Sequence, residues 1–170
     1  MRWKVGKETA IIAGWLAGVL PSVATEQPEK LDVLGIQITI KVDGEKTGGA
    51  MSVIEGLVPP GGGPPMHIHS REDELFYVIE GRFRFWHGDH VMELEPGAVV
   101  FLPRSGRHTY QNIGATPGRL FTVITPAGFE GFFREVAKRG LSVPKDMQEL
   151  TAIAQQYGLQ FVGPPPRISN

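Results

Sequence analysis

Three histidines and one glutamate form the pattern with the clearest chemical potential. His67 and His69 lie two residues apart, so on a strand both side chains project from the same face. Glu74 follows His69 by five residues, an odd separation that simple alternation would place on the opposite face. The polar stretch 70–73 can reset the register, so that Glu74 opens a new strand and faces the same interior. These three side chains could then reach one ion.

His108 is the candidate for a fourth ligand, because it follows the turn 103–107 at the point where a strand begins. Imidazole and carboxylate ligands without sulfur suit a divalent first-row metal: iron, manganese, nickel, cobalt, copper or zinc. Three histidines and one carboxylate would leave positions open on an octahedral ion for water or substrate. A lone histidine is more often an ordinary core or surface residue. The joint pattern favours a metal site.

Composition excludes several kinds of functional site and partner. The chain has 170 residues, a length that suits one domain with a substantial core. It has no cysteine, which excludes disulfides, thiolate nucleophiles and cysteine-ligated zinc. The formal net charge is −1 and the basic residues are scattered, so we expect no nucleic-acid partner. No apolar run approaches the roughly 18–20 residues of a membrane span.

The N-terminal segment permits two interpretations. Basic residues at Arg2, Lys4 and Lys7 precede an apolar run over 10–20 and the small-residue stretch 21–24, as in a secretory signal. The favoured alternative is a segment, amphipathic or buried, that packs on the domain of a cytoplasmic protein. Export remains the competing expectation.

From residue 31 to residue 125 the pattern is that of short strands separated by turns. Apolar residues alternate with polar ones over 36–40, a period of two. Residues 87–89 read as a tight hairpin turn. Further strands are predicted at residues 50–58, 74–79, 83–86, 91–94, 99–102, 108–112 and 120–125. Such regular spacing is typical of an all-β sandwich or barrel.

Two helices are predicted after the strands. Pro126 can occupy a first helical turn with Thr125 as its cap, and Gly140 can end that helix. A second helix fits residues 144–157. Both carry apolar stripes at helical spacing, which we expect to pack on the barrel. The tail from Phe161 is expected to be extended.

The region around the histidines resembles the first motif of the cupin superfamily, G-x5-H-x-H-x3,4-E-x6-G. Gly61, His67, His69, Glu74 and Gly81 match every fixed position of that motif. Fifteen residues separate it from the second motif, a short spacing similar to that of microbial single-domain cupins.

The second cupin motif reads G-x5-P-x-G-x2-H-x3-N. Its matching residues are Gly97, Pro103, His108 and Asn112. Ser105 stands where the family prefers glycine. Gly106 follows at once, so the turn is expected to shift by one residue without affecting His108.

The resemblance implies a double-stranded β-helix, the cupin or jelly-roll barrel, with the C-terminal helices packed outside. It implies an N-terminal segment 1–30, a barrel 31–126, and helices and tail 127–170 in the same domain. It also implies that the barrel binds one divalent transition metal through four ligands: His67, His69, Glu74 and His108. A homodimer is expected through the outer strands.

A narrower resemblance covers most of residues 34–161, and it is carried by TGGAMSVIE before the first motif and TPAGFEGFFRE after the second. It is to a group of small cupins described as quercetin 2,3-dioxygenase-like. That resemblance implies a metal-dependent dioxygenase for a flavonol-like or other enolisable small molecule, with Glu74 as both ligand and general base. A shared fold hosts many reactions, so two alternatives stay open: a non-catalytic metal or small-ligand binding protein, and a metal-dependent sugar isomerase. Oxalate chemistry is a further alternative, whereas nucleotide-sugar epimerases do not need this complete ligand set.

Other residues near the motifs have simpler expected roles. Five aromatic residues could either line the ligand site as an apolar wall or pack within the barrel: Phe76, Phe83, Phe85, Phe101 and Tyr110. Glu72 and Asp73 are expected to be exposed turn acids. His87 and His90 are expected to be solvated loop histidines rather than a second metal site. Arg104 and Arg107 are expected to be solvated or ion-paired rather than to bind an anionic substrate.

Overall fold

The computed structural model describes residues 27–164, which form eleven strands and two α-helices. The strands are β1 Glu29–Val33, β2 Ile36–Val42, β3 Ser52–Val58, β4 Met66–His69, β5 Asp73–Glu80, β6 Phe83–His87, β7 His90–Leu94, β8 Val99–Leu102, β9 Arg107–Asn112, β10 Gly118–Thr125 and β11 Leu159–Gly163. The helices are α1 Glu130–Arg139 and α2 Met147–Gln156, and a short 3-10 helix covers Gly44–Thr47.

The strands form two antiparallel sheets that face each other. One contains six strands in the order β1-β2-β3-β10-β5-β8, and the other contains five in the order β11-β4-β9-β6-β7. The prediction of an all-β double-stranded β-helix is therefore confirmed. The predicted strands are all present, with ends that differ by at most two residues. The hairpin over 87–89 is also confirmed, since His87 pairs with His90.

Alternation along the strands places one apolar face of each sheet inside. In β5, Glu74, Phe76 and Val78 are buried, as the sequence predicts. The alternate side chains of this strand are also apolar, a sequence pattern that predicts cover on both faces; that prediction is wrong for the single chain. Leu75 is 36% exposed and Tyr77 is 40% exposed, because no other element of residues 27–164 packs on that face.

The first helix begins later than the sequence predicts. Thr125 does not cap it, because the Thr125 hydroxyl donates instead to the carbonyl oxygen of Ala50 at 3.0 Å. The carboxylate of Glu130 accepts hydrogen bonds from the backbone N–H groups of Gly128 and Gly44, at 2.8 and 3.1 Å. The helix therefore starts at Glu130, and it ends at Gly140 as predicted.

The second helix begins at Met147 rather than at residue 144. Its buried side chains Leu150, Ile153 and Ala154 belong to the same apolar cluster as the strands. Strand β11 then pairs with β4, so the extended segment predicted from Phe161 is part of a sheet. The signal-like segment 1–24 and the end of the tail lie outside the described residues. Within those residues, no helix is long and apolar enough to cross a membrane.

Candidate metal centre

The structure brings the four predicted ligands together inside the barrel. The nearest ligand atoms of His67, His69, Glu74 and His108 all lie within 4.8 Å of one another. Each of the four side chains is at least nine-tenths buried. His67 on β4 pairs directly with His108 on β9, which places both imidazoles on the inner face of the five-stranded sheet. This cluster could hold a metal ion.

Glu74 reaches the cluster from the opposite sheet. One of its carboxylate oxygens lies 2.9 Å from Nε2 of His108 and 3.6 Å from Nε2 of His69. Strand β4 ends at His69 and β5 begins at Asp73, so the polar stretch between them resets the register as predicted. The odd spacing from His69 to Glu74 thus arises because the two residues belong to different sheets.

Each imidazole is held through its other ring nitrogen. Nδ1 of His67 lies 2.7 Å from the carbonyl oxygen of Pro65, and Nδ1 of His108 lies 3.0 Å from that of Gly106. Nδ1 of His69 lies 3.2 Å from a carboxylate oxygen of Glu72. An Nδ1–H donated in this way leaves the Nε2 lone pair of each ring available to an ion.

The expectation that Glu72 is an exposed turn acid is wrong. Its side chain is buried, with 4% of its surface exposed, because it turns inward to contact His69. The spacing carries a weak indication of this role, since an acid three residues after a histidine can fold back across a turn. Asp73, the next residue, pairs instead with Arg104 at 2.6 Å.

Charge and burial set the protonation of the cluster. Burial and the neighbouring His108 and His69 lower the pKa of His67 to about 3. Burial opposes the charged form of Glu74, yet the surrounding histidines lower its pKa to about 2. Burial also opposes the charged form of His69, but Glu74 and Glu72 raise its pKa above 6.5. The carboxylate therefore stays ionised among the imidazoles.

The turn before His108 keeps its register despite Ser105. Ser105 itself takes the left-handed conformation, with φ of 67°, so the expected shift of the turn by one residue is wrong. Its backbone N–H donates to the carbonyl oxygen of His69 at 2.7 Å, which ties the turn to a predicted ligand. Gly106 packs closely against His87: a Cβ at this position would lie 2.5 Å from Nε2 of His87, so a larger residue would require that ring to move.

A mainly apolar cavity lies beside the four-residue cluster. The volume of this cavity, counted as the space open to the centres of water-sized molecules, is about 80 Å³. Its wall includes Leu34 from the β1–β2 turn and Phe161 from β11. Three phenylalanines at the start of α1 complete this part of the wall: Phe129, just before the helix, and Phe132 and Phe133 within it. The Phe129 ring stands edge-on to His69, with 4.4 Å between ring centres. None of the described residues that line the cavity is a lysine or an arginine.

The five aromatic residues singled out in the sequence take three different places. Phe76 and Tyr110 line the cavity, whereas Phe83 and Phe85 are fully buried behind them. Phe101 is 55% exposed on the outer face of β8, so it is not part of an inner wall. The sequence does not reveal that α1 supplies much of the wall, because that contact depends on how the helix packs.

The remaining polar candidates lie outside the cluster. Arg104 pairs with Asp73, and Arg107 pairs with Asp89, as expected for ion-paired surface residues. His90 is exposed and His87 is half-buried. Within residues 27–164, the four predicted ligands form the one group whose geometry suits a metal ion.

Comparison with known proteins agrees with this geometry. The sequence family described as "Cupin domain" matches residues 55–124, which include both motifs and all four predicted ligands. Quercetin 2,3-dioxygenase of Bacillus subtilis (strain 168) is 29% identical over 90 residues. That match covers 53% of this chain but only 26% of the relative, so the chain corresponds to about a quarter of that protein.

Solved structures show the same fold at low identity. A predicted oxalate decarboxylase from Thermotoga maritima has a TM-score of 0.53 at 23% identity, covering 59% of this chain and 92% of that one. An RmlC-like cupin from Shewanella frigidimarina NCIMB 400 has a TM-score of 0.52 at 22% identity, covering 63% and 91%. These similarities concern the fold alone.

Proposed function

Since this chain belongs to the cupin superfamily, we propose that it is a metal-dependent dioxygenase that acts on a small enolisable compound. The observation that carries the proposal is the buried cluster of three histidines and one glutamate beside an apolar cavity. Its proposed ligands are His67, His69, Glu74 and His108. A bound divalent transition metal would supply open positions where an enol oxygen and dioxygen are held in one geometry.

One residue of the cluster could remove a proton from the substrate. We propose Glu74 as the general base, because its carboxylate is buried, ionised and part of the cavity wall. A carboxylate with a pKa of about 2 is a weak base. The proton that it accepts must therefore be acidic, as in an enol hydroxyl, rather than that of an ordinary C–H bond or alcohol.

The cavity wall favours an uncharged substrate of modest size. The described residues of the wall include no lysine or arginine that would pair with a carboxylate or phosphate, which argues against oxalate-like substrates. A water molecule needs roughly 10–15 Å³ by the same measure of volume. The cavity of about 80 Å³ therefore has room for several chemical groups of about the size of a water molecule. A one-ring enol fits this space better than a multi-ring flavonol does.

The apolar wall also bears on the sugar isomerase alternative. A sugar carries several hydroxyl groups, each of which needs a hydrogen-bond partner when it is buried. Among the described residues of the wall only Tyr110 and Thr122 carry hydroxyl groups, so most of the sugar's hydroxyl groups would contact apolar side chains. A non-catalytic binding protein could use the same ligand set. Turnover separates this alternative from the dioxygenase.

The outer face of the six-stranded sheet supports a further proposal, a homodimer. Leu75 on β5 lies directly opposite Phe101 on β8, and Tyr77 lies opposite Val99. All four are large apolar or aromatic residues that are at least 36% exposed in the single chain. Contiguous patches of this kind commonly mark protein interfaces.

Oxygen uptake on metal-loaded protein tests the proposed activity. We expect consumption of dioxygen with 2,4-pentanedione or tropolone, incorporation of both ¹⁸O atoms into product, and loss of turnover in Glu74→Gln. His87→Ala is the matched control, since His87 lies outside the cluster, and it should retain activity. Tight binding without oxygen uptake across enols and flavonols would instead favour the non-catalytic binding protein.

A further inference from the structure

Tyr110 is the one phenol that faces the cavity among the described residues. It lies on β9 two residues after His108, so both side chains project from the inner face of that strand. The cavity wall contains Tyr110 together with His67 and Glu74. The phenol is therefore close to any molecule that occupies the space beside the cluster.

Surrounding rings hold the Tyr110 side chain in place. Its ring centre lies 5.6 Å from that of Phe76, 6.1 Å from that of Phe83 and 5.5 Å from that of Phe85. These separations are those of packed aromatic pairs in tilted or edge-on arrangements. A phenylalanine could make the same ring contacts, so packing alone does not require a hydroxyl at this position.

The Tyr110 hydroxyl has no hydrogen-bond partner within residues 27–164. Its neighbours differ: the Thr109 hydroxyl donates to the carbonyl oxygen of Pro64 at 2.6 Å, and the Gln111 amide donates to that of Gly61 at 3.0 Å. Tyr110 is half-buried, so its hydroxyl is open to a partner that is not part of the described chain. At this position the missing partner can come from a molecule in the cavity.

We propose that the Tyr110 hydroxyl donates a hydrogen bond to an acceptor oxygen of the molecule bound beside the cluster. A tyrosine hydroxyl carries its proton at neutral pH and can act as a hydrogen-bond donor. Tyr110 is then a specificity-determining residue that selects compounds carrying an oxygen at its end of the cavity. This inference rests on the proposed binding of a small enol in this cavity, and not on turnover.

Calorimetric titration of zinc-loaded protein tests the role of Tyr110 without turnover. The probes are kojic acid, which has a chelating enol–ketone pair and further oxygens, and tropolone, which has only the chelating pair. Tyr110→Phe should weaken binding of at least one probe about three- to tenfold. Weakening with kojic acid alone would place the acceptor away from the chelating pair, whereas weakening with both would place it within the pair.

The matched control is Tyr77→Phe, because Tyr77 is 40% exposed on the outer face of the barrel. It should leave both affinities unchanged. Tyr110→Phe should also retain zinc and the melting temperature, since its hydroxyl makes no hydrogen bond to another residue of the range 27–164.

Three results would overturn the inference. The first is Tyr110→Phe binding both probes with wild-type affinity, and the second is a loss of zinc or of stability that accounts for weaker binding. The third is failure of the wild type to bind either probe, which would count against the proposed function as well. Weaker binding by Tyr110→Phe without oxygen uptake by the wild type would refute the dioxygenase and leave this inference standing.

Discussion

Among single residues, Glu72 contacts the predicted metal site without being one of its predicted ligands. It is the carboxylate that holds His69, whereas backbone carbonyl groups hold His67 and His108. A carboxylate partner both orients an imidazole and strengthens it as a ligand. His69 is therefore the predicted ligand whose properties depend most on another side chain.

Removing Glu72 should weaken metal binding. We predict that Glu72→Ala reduces metal affinity about 10- to 100-fold, since the ring of His69 loses its partner. Glu72→Gln should lose less, because the amide oxygen still accepts from Nδ1–H. Competition with a chromophoric chelator measures both. Glu95→Ala, at an exposed acid, is the control; equal affinities in all four proteins would contradict this role.

Metal affinity should depend on pH through His69. Its pKa is raised above 6.5, so without metal the ring still binds a proton at pH 6.5, and an incoming ion must displace that proton. Affinity should therefore rise as the pH increases through this pKa. His67 and Glu74, with pKa values of about 3 and 2, are already deprotonated at pH 5 and add no dependence above it.

Glu72→Gln provides the test of this pH dependence. The substitution removes a negative charge beside His69, which lowers the pKa of that ring. The rise in affinity should then occur at lower pH than in the wild type. Dissociation constants measured from pH 5 to pH 8 for both proteins check the shift, and superimposable curves would show that Glu72 does not influence His69.

Among the elements, α1 determines the size of the cavity. Phe132 and Phe133 both line the cavity, but Phe133 is half-buried whereas Phe132 is 3% exposed and belongs to the core. We predict that Phe133→Ala enlarges the cavity and increases the affinity for quercetin relative to tropolone by roughly tenfold. Fluorescence quenching by quercetin measures this effect.

Phe132→Ala is the comparison variant at the same end of the barrel. It should destabilise the protein by about 3–5 kcal/mol, the usual range for a buried phenylalanine. Phe133→Ala should lose considerably less stability. If Phe133→Ala leaves the preference between the two ligands unchanged, α1 does not control access to the cavity.

The sequence predicts the strands well because their period of two and their turn residues are local. Ile36, Ile38 and Ile40 alternate inward as expected. The predicted start of α1 is wrong because the carboxylate of Glu130 accepts hydrogen bonds from Gly44 and Gly128. The pattern of neighbouring residues does not reveal the contact with Gly44, which is distant in sequence. The pairing of β11 with β4 was not predicted for the same reason.

Some residues of the site can be predicted from local sequence, and others depend on the fold. The spacing of His67, His69 and Glu74 is readable within one short stretch. The turn that precedes His108 makes it a candidate from a distant strand, and the resemblance to the second cupin motif supports it. Glu72 was missed because its inward turn depends on the conformation of the residues after His69. We propose that residues 127–164 form one domain with the barrel, since their apolar residues share its core.

On the scale of the whole molecule, the exposed face of β5 and β8 leads to a test of the proposed dimer. Phe101→Glu places a charge in the centre of that face and should convert a dimer to a monomer in light scattering. Val91→Glu is the control, because Val91 is 56% exposed on β7, outside this face, against 55% for Phe101. A wild-type monomer, or a Phe101→Glu dimer, would contradict the proposal.

The central claim is that two sheets bring four distant side chains to one metal ion, and His108 tests it most directly because it lies outside the first motif. Elemental analysis of protein purified without chelator, or reloaded with metal, should give about one equivalent in the wild type and in His87→Ala. His108→Ala should fall to a small fraction while remaining folded by circular dichroism. A full equivalent of metal in folded His108→Ala would contradict the four-ligand site.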